Sequence, residues 1–150
     1  MTATELVERL KREFGDKILA SRVKGQDIWI TVDARSFKEL VRYLVGNEDV
    51  SHISTITGMD TGENIEVIYH LWSQTKRLAI NVAVILPKDN PSIETVTDLI
   101  PGAALYEREV HDLVGVTFKG NPDLRRLVLP DEWPEEVYPL RREYKVQPLR

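Results

Sequence analysis

Glu107, Glu109, His111 and Asp112 bring four groups able to carry protons or bind cations into six consecutive residues. On a helix, Glu107 and His111 stand four apart on one face, a spacing that metal sites use. Such sites need three or four ligands, and the chain has no cysteine and three histidines, with no second histidine pair nearby. The expectation is therefore an exposed or interfacial ion pair rather than a metal centre. Glu107 and Glu109 have the residue types of an acid/base couple, but residues two apart on a helix point away from each other. Arg108 is expected to pair with Asp112 along the helix, or both to meet charges on a partner, where arginine–carboxylate pairs set register more than they add stability. A small stand-alone enzyme built on Glu107, Glu109, His111 and Asp112 is the rival reading, and an unrelated adaptor domain is a third.

Other polar residues carry weaker signals. A symmetric turn at Asp60–Glu63 would let His52 and His70 face each other on neighbouring strands, and histidines on an apolar sheet are expected to be hydrogen-bonded. Gly25, Gly115 and Gly120 serve the backbone, because no strand, glycine-rich loop and helix follow one another as a phosphate cradle requires. The pairs Arg125-Arg126 and Arg141-Arg142 are the exposed features best suited to binding, since a guanidinium forks carboxylates and stacks on aromatic rings.

Composition narrows the function classes. A chain of 150 residues fits one domain with a real core, and 42% apolar with 29% charged residues describes a globular protein. The net charge of −4 gives no general attraction to phosphate, which argues against nucleic acid as a partner. Without cysteine there is no disulfide, no thiolate nucleophile and no cysteine-ligated zinc or iron–sulfur cluster. The start, Met1-Thr2-Ala3-Thr4-Glu5-Leu6, lacks the basic and apolar regions of a signal peptide. No apolar run approaches the ~20 residues that span a bilayer. The expected location is cytoplasmic, and any membrane association would have to come through a partner.

The elements that must position these residues can be read in order. Thr2 and Glu5 form a capping box ahead of Ala3, Leu6, Val7, Leu10 and Phe14, which predicts a helix over 3–14 closed by Gly15. Two short apolar runs, 18–23 and 28–32, flank a turn at Lys24-Gly25-Gln26-Asp27 and predict a hairpin. Asp33 or Ser36 caps a second helix with the stripe Phe37, Leu40, Val41, Leu44 and Val45. Three strands follow, over 50–59, 65–72 and 78–86. The last is apolar in both phases, as a central or doubly covered strand would be. Residues 93–100 fit a short helix ending at Pro101-Gly102, and a motif helix runs over about 103–114. The expected fold class is α+β, a two-layer sandwich with the order helix, two strands, helix, three strands and a mixed sheet. The motif helix and an extended C-terminal arm follow it.

The arm is a separate unit in this reading: residues 1–118 form the α/β domain and 119–150 bind a partner. Five of the eight prolines, Pro122, Pro130, Pro134, Pro139 and Pro148, lie in those last 32 residues, too closely set for a stable helix. Leu127, Leu129, Trp133, Tyr138 and Leu140 are apolar anchors that a free solvated tail would not need.

Glu107-Arg108-Glu109-x-x-Asp112-Leu113-x-Gly115-Val116-x-Phe118-x-Gly120-Asn121-Pro122-Asp123-Leu124-Arg125-Arg126 resembles the signature of the thirty-kilodalton subunit family of NADH:quinone oxidoreductase. That enzyme is respiratory complex I, and the family has relatives in energy-converting membrane-bound nickel–iron hydrogenases. Pro91-Ser92-Ile93 and Pro101-Gly102-Ala103 fit its lead-in, and Tyr138-Pro139-Leu140-Arg141-Arg142-Glu143-Tyr144 resembles its terminal element. The chain departs from the pattern at Asn121, where the family usually has histidine, and at Ala104-Leu105, where the respiratory branch has an Asn-Trp pair. With the short C-terminus, these departures point toward the hydrogenase-like or archaeal branch.

The resemblance implies a non-catalytic assembly subunit with no cofactor of its own. Iron–sulfur, nickel–iron and quinone sites would belong to partner subunits, and electron transfer coupled to ion translocation would be the work of the complex. The implied partners are a large catalytic subunit related to nickel–iron hydrogenases and a neighbouring iron–sulfur subunit. The partner-binding residues expected from the motif are Glu107, Arg108, Glu109, Asp112, Phe118, Pro122, Leu124, Arg125, Arg126, Trp133, Leu140, Arg141 and Arg142.

Overall fold

The computed structural model describes residues 1–146. Helix α1 (Ala3–Phe14) starts at Thr2, whose hydroxyl accepts the Glu5 N–H at 3.1 Å, and stops at Gly15 with φ +55°. Strands β1 (Ile18–Lys24) and β2 (Asp27–Val32) form the expected hairpin, and helix α2 (Phe37–Asn47) follows. Strands β3 (His52–Asp60), β4 (Asn64–Ser73) and β5 (Leu78–Pro87) complete a five-stranded sheet in the order β1-β2-β5-β4-β3. Only β2 and β5 run parallel, so the sheet is mixed, as expected.

Register explains the core. Ile28 lies beside Ile80, and Ile80 beside Leu71, so alternate residues of neighbouring strands point to one face. Leu6 and Leu10 of α1 and Phe37, Leu40 and Leu44 of α2 join the same buried cluster, with the Phe37 ring 4.5 Å from that of Tyr69. Each large side chain buried this way contributes about 1.5–3 kcal/mol. The opposite face is less covered: Ile85 is half exposed, while Ala83 and Asn81 are shielded.

Residues 93–100 correct the sequence reading. They form a three-residue strand, β6 (Ser92–Glu94), and then turns. Strand β6 pairs in parallel with β7 (Thr117–Lys119), placing Ile93 beside Phe118. Ile93, Val96 and Ile100 have helical spacing and are buried, but pairing with a distant strand outweighs the local preference. Helix α3 (Ala103–Val114) forms as predicted and packs against the edge strand β3. A Cβ on Gly58 would lie 2.8 Å from Val110, so glycine is what lets the helix approach. After Lys119 the described chain has no helix or strand, as expected of the arm, whose residues 147–150, including Pro148, lie outside the described residues.

Candidate partner interface around helix α3

Helix α3 buries Ala103, Glu107, Val110, Asp112 and Val114 and ends at Gly115, whose φ of +87° is left-handed. One of its buried groups is a carboxylate. Glu107 accepts the Thr95 hydroxyl at 2.6 Å, the Val96 N–H at 2.9 Å and the Asn121 side-chain amide at 2.8 Å. Burial pushes its carboxyl up from the usual range, against the opposing pull of these three donors. Glu107 therefore ties α3, the turn after β6 and the start of the arm together from inside.

The expected ion pairs along the helix give way to other partners. His111 donates Nδ1–H to the Val116 carbonyl at 2.7 Å, closing the end of the helix rather than meeting Glu107. Arg108 does not bond Asp112; it donates to the carbonyls of Arg125 and Arg126, both at 3.0 Å. One Asp112 oxygen accepts three successive backbone N–H groups, from Leu127, Val128 and Leu129, at 3.0, 2.8 and 3.0 Å. Burial alone would raise the Asp112 carboxyl, but these three donors, with Arg126 nearby, hold it below the usual range. The arm thus runs beside α3 with its backbone held by two helix side chains, i and i+4, on one face.

Farther along, the Arg125 guanidinium forks Asp123 at 2.8 Å in both contacts although its side chain is 84% exposed. Arg126 donates to the Pro130 carbonyl at 2.8 Å. The Trp133 indole N–H donates to the Val137 carbonyl at 2.8 Å, and its ring packs against Tyr144. Leu140 is 55% exposed, and Leu127 and Val128 are also exposed. A cavity of about 330 Å³ lies between the helix and this loop, bordered by His111, Asp112, Arg126, Trp133 and Tyr138.

Residues 30–149 match the family described as the respiratory-chain NADH dehydrogenase 30 Kd subunit. The chain belongs to that family. It is 33% identical to a subunit of the F(420)H(2) dehydrogenase of Methanosarcina mazei over 100% of this chain and 96% of that one. With the membrane-bound hydrogenase subunit beta of Pyrococcus furiosus it shares 30% identity over 99% and 87% of the two chains. A chain in the structure of the membrane-bound sulfane sulfur reductase, an archaeal respiratory membrane complex, superposes with a TM-score of 0.83 at 25% identity. That superposition covers 95% of this chain and 85% of the other.

Seen on the fold, the thirty-kilodalton-subunit motif splits into two sets. Glu107 and Phe118, expected at a partner surface, are interior residues, 0% and 1% exposed. Asp112 is buried and Arg108 half-buried, both spent on the arm. Glu109, Leu124, Arg126, Trp133 and Arg141 are half-buried, while Pro122, Arg125, Leu140 and Arg142 are exposed. Asn121 bonds on both sides: its amide donates to Glu107 and its oxygen accepts the Asp123 N–H, both at 2.8 Å.

His52 and His70 do not face each other. His52 lies opposite Trp72 and His70 opposite Thr55. The His70 ring bonds Asn81 Oδ1 at 2.7 Å and the Thr57 hydroxyl at 2.9 Å. Among the described residues, no three histidine, aspartate or glutamate side chains are grouped to hold a metal ion. Asp60 and Lys88, which bond each other at 2.6 Å beneath the end of the arm, escaped the sequence reading. Asp60-Thr61-Gly62-Glu63 reads as an ordinary turn, and nothing local marks one of its carboxylates as buried.

Proposed function

We propose that this chain is a non-catalytic assembly subunit of a complex I-like, membrane-associated oxidoreductase. In this reading it docks on a large catalytic subunit of the nickel–iron hydrogenase type, beside an iron–sulfur subunit, at the cytoplasmic face of the membrane. Redox centres, electron transfer and ion translocation belong to those partners. Membership in the thirty-kilodalton subunit family supports it, as do relatives named as subunits of a hydrogenase and of a dehydrogenase.

The observation that carries the docking surface is the outward side of the arm. Leu127, Val128 and Leu140 stay exposed there although the arm's backbone is fastened beneath them. Arg125 lies in the same segment, its side chain exposed although its guanidinium forks Asp123. Arginine is enriched among interface anchors, and exposed apolar side chains beside it add area for a partner to bury. Glu109, Pro122, Leu124, Arg126, Trp133, Arg141 and Arg142 extend or shape that surface in this reading, while Arg108 and Asp112 act by holding the arm in place.

Affinity purification of the tagged full chain from membranes tests the proposal. The expected result is recovery of a large hydrogenase-like subunit, and its loss in Leu127→Ser with Val128→Ser, with the melting temperature of the isolated chain within a few degrees of wild type. Recovery of the wild-type chain alone, or undiminished recovery of the large partner with the double variant, would overturn it.

A further inference from the structure

Asp60 closes β3 with a side chain only 1% exposed, where three segments meet. One carboxylate oxygen takes the Lys88 ammonium at 2.6 Å and the Arg142 backbone N–H at 2.9 Å. The other takes the Gly62 N–H at 2.8 Å. In return, the Arg142 guanidinium donates to the Asp60 carbonyl at 3.2 Å, and Lys88 reaches on to Glu143 at 2.8 Å. Asp60 and Arg142 are 82 residues apart in the chain.

The same piece of arm completes helix α3. The last carbonyls of a helix have no partner within it. Here Leu113 accepts the Leu140 N–H at 3.0 Å, and Val114 accepts Arg141 Nε at 2.7 Å. Tyr138 lies so close to Gly115 that a Cβ there would stand 2.6 Å from the ring. The Arg141 guanidinium lies over that ring, 4.6 Å from its centre, and is itself close to Gly115.

We infer that the arm is a strap fastened at both ends in the free chain, with residues 138–143 docked on the body and the Asp60 carboxylate as the clasp. Releasing this segment takes a backbone donor from a buried carboxylate and uncovers two helix carbonyls, so undocking costs polar interactions that water replaces only in part. Lys88 first, then the backbone N–H groups, hold the Asp60 carboxyl well below the usual range, so the clasp stays charged and closed through neutral and mildly acidic pH. A partner then meets a formed surface and does not carry the cost of ordering residues 138–143. This concerns the chain before any partner arrives and stands apart from the assembly reading.

Amide-resolved hydrogen exchange on the purified full chain tests it. The Leu140 and Arg142 amides are expected to exchange at least about 100-fold more slowly than in an unstructured peptide. Asp60→Asn should reduce Arg142 protection by about tenfold or more, with the amides of central strand β5 unchanged. Lys88→Met, which removes the cation and keeps most of the side-chain volume, should loosen Arg142 in the same direction and serves if Asp60→Asn does not fold. Free-peptide rates at 138–143 in the wild-type chain, or unchanged Arg142 protection in every variant that folds, would overturn the inference. A protected segment in a chain that recovers no partner from membranes would leave the clasp standing and count against the assembly reading.

Discussion

In the sheet, side chains hold side chains: Ile28, Ile80 and Leu71 stand abreast on three strands and exclude water by area alone. In the arm, side chains of the body hold backbone. Asp112 takes three N–H groups, Arg108 two carbonyls, and Asp60 the N–H of Arg142. Burial of area is non-directional and tolerates exchange of one apolar residue for another of similar size. A carboxylate under a row of N–H groups is directional, and it works only where that residue stands. The first kind of contact makes a body that folds on its own pattern. The second lets a segment rich in proline, which over residues 120–146 pairs with no strand and forms no helix, take a defined path.

The largest effect should come from the body. Ile80 is wholly buried in the central strand β5, and Ile80→Ala is expected to cost about 2–5 kcal/mol through lost transfer energy and the cavity left behind. Denaturant unfolding measures it. A loss no larger than that of the arm variants would erase the distinction between the two regions.

Asp112→Asn comes next, at about 1–3 kcal/mol, because a neutral amide oxygen accepts the three N–H groups more weakly than a carboxylate does. Its pH dependence sharpens the contrast. The Asp112 carboxyl is lowered in the folded chain, so its contribution is complete above the ordinary carboxylate range and is lost as pH falls from that range through the lowered value. Glu107, raised by burial, runs the other way: its contribution is complete in acid and lost as pH rises from the ordinary range through the raised value. Stability followed from about pH 6 to pH 3 should fall less in Asp112→Asn than in the wild type. An equal fall would mean that Asp112 does not titrate against the arm.

What was legible in the sequence follows the same division. Alternation in 65–72 and 78–86 and the stripe from Phe37 to Val45 foretold strands and helix, because apolar periodicity is the imprint of a face. Periodicity also misled at Ile93, Val96 and Ile100, where pairing with Phe118 imposed a strand on a helical spacing. The motif marked Glu107, Arg108 and Asp112 as special, yet not that they look inward to Thr95, Asn121 and the arm's backbone. A charged residue reads the same in sequence whether it meets solvent, a partner or its own main chain. Asp60 shows the limit most plainly, since its partner lies 82 residues away.

Arg125→Ala should have the smallest effect on the isolated chain, and it tests whether the arm's outward side differs from its inward one. Arg125 forks Asp123 with good geometry, and Asp123 holds the guanidinium in its charged form. Yet the two residues are neighbours on one turn and the arginine side chain is 84% exposed, so water and salt compete for both charges. Pairs of this kind contribute little, and a surface truncation that touches no core residue usually leaves stability nearly unchanged. The inward bonds to this segment run from Arg108 to the carbonyls of Arg125 and Arg126, and they do not use the Arg125 side chain. Removing it should therefore leave the melting temperature within about 2 °C of wild type, while recovery of the large subunit from membranes falls severalfold. A drop in stability comparable to that of Asp112→Asn would mean that the Arg125–Asp123 fork is part of the arm's fastening. Unchanged stability with unchanged recovery would remove Arg125 from the docking surface and leave Leu127, Val128 and Leu140 to carry it.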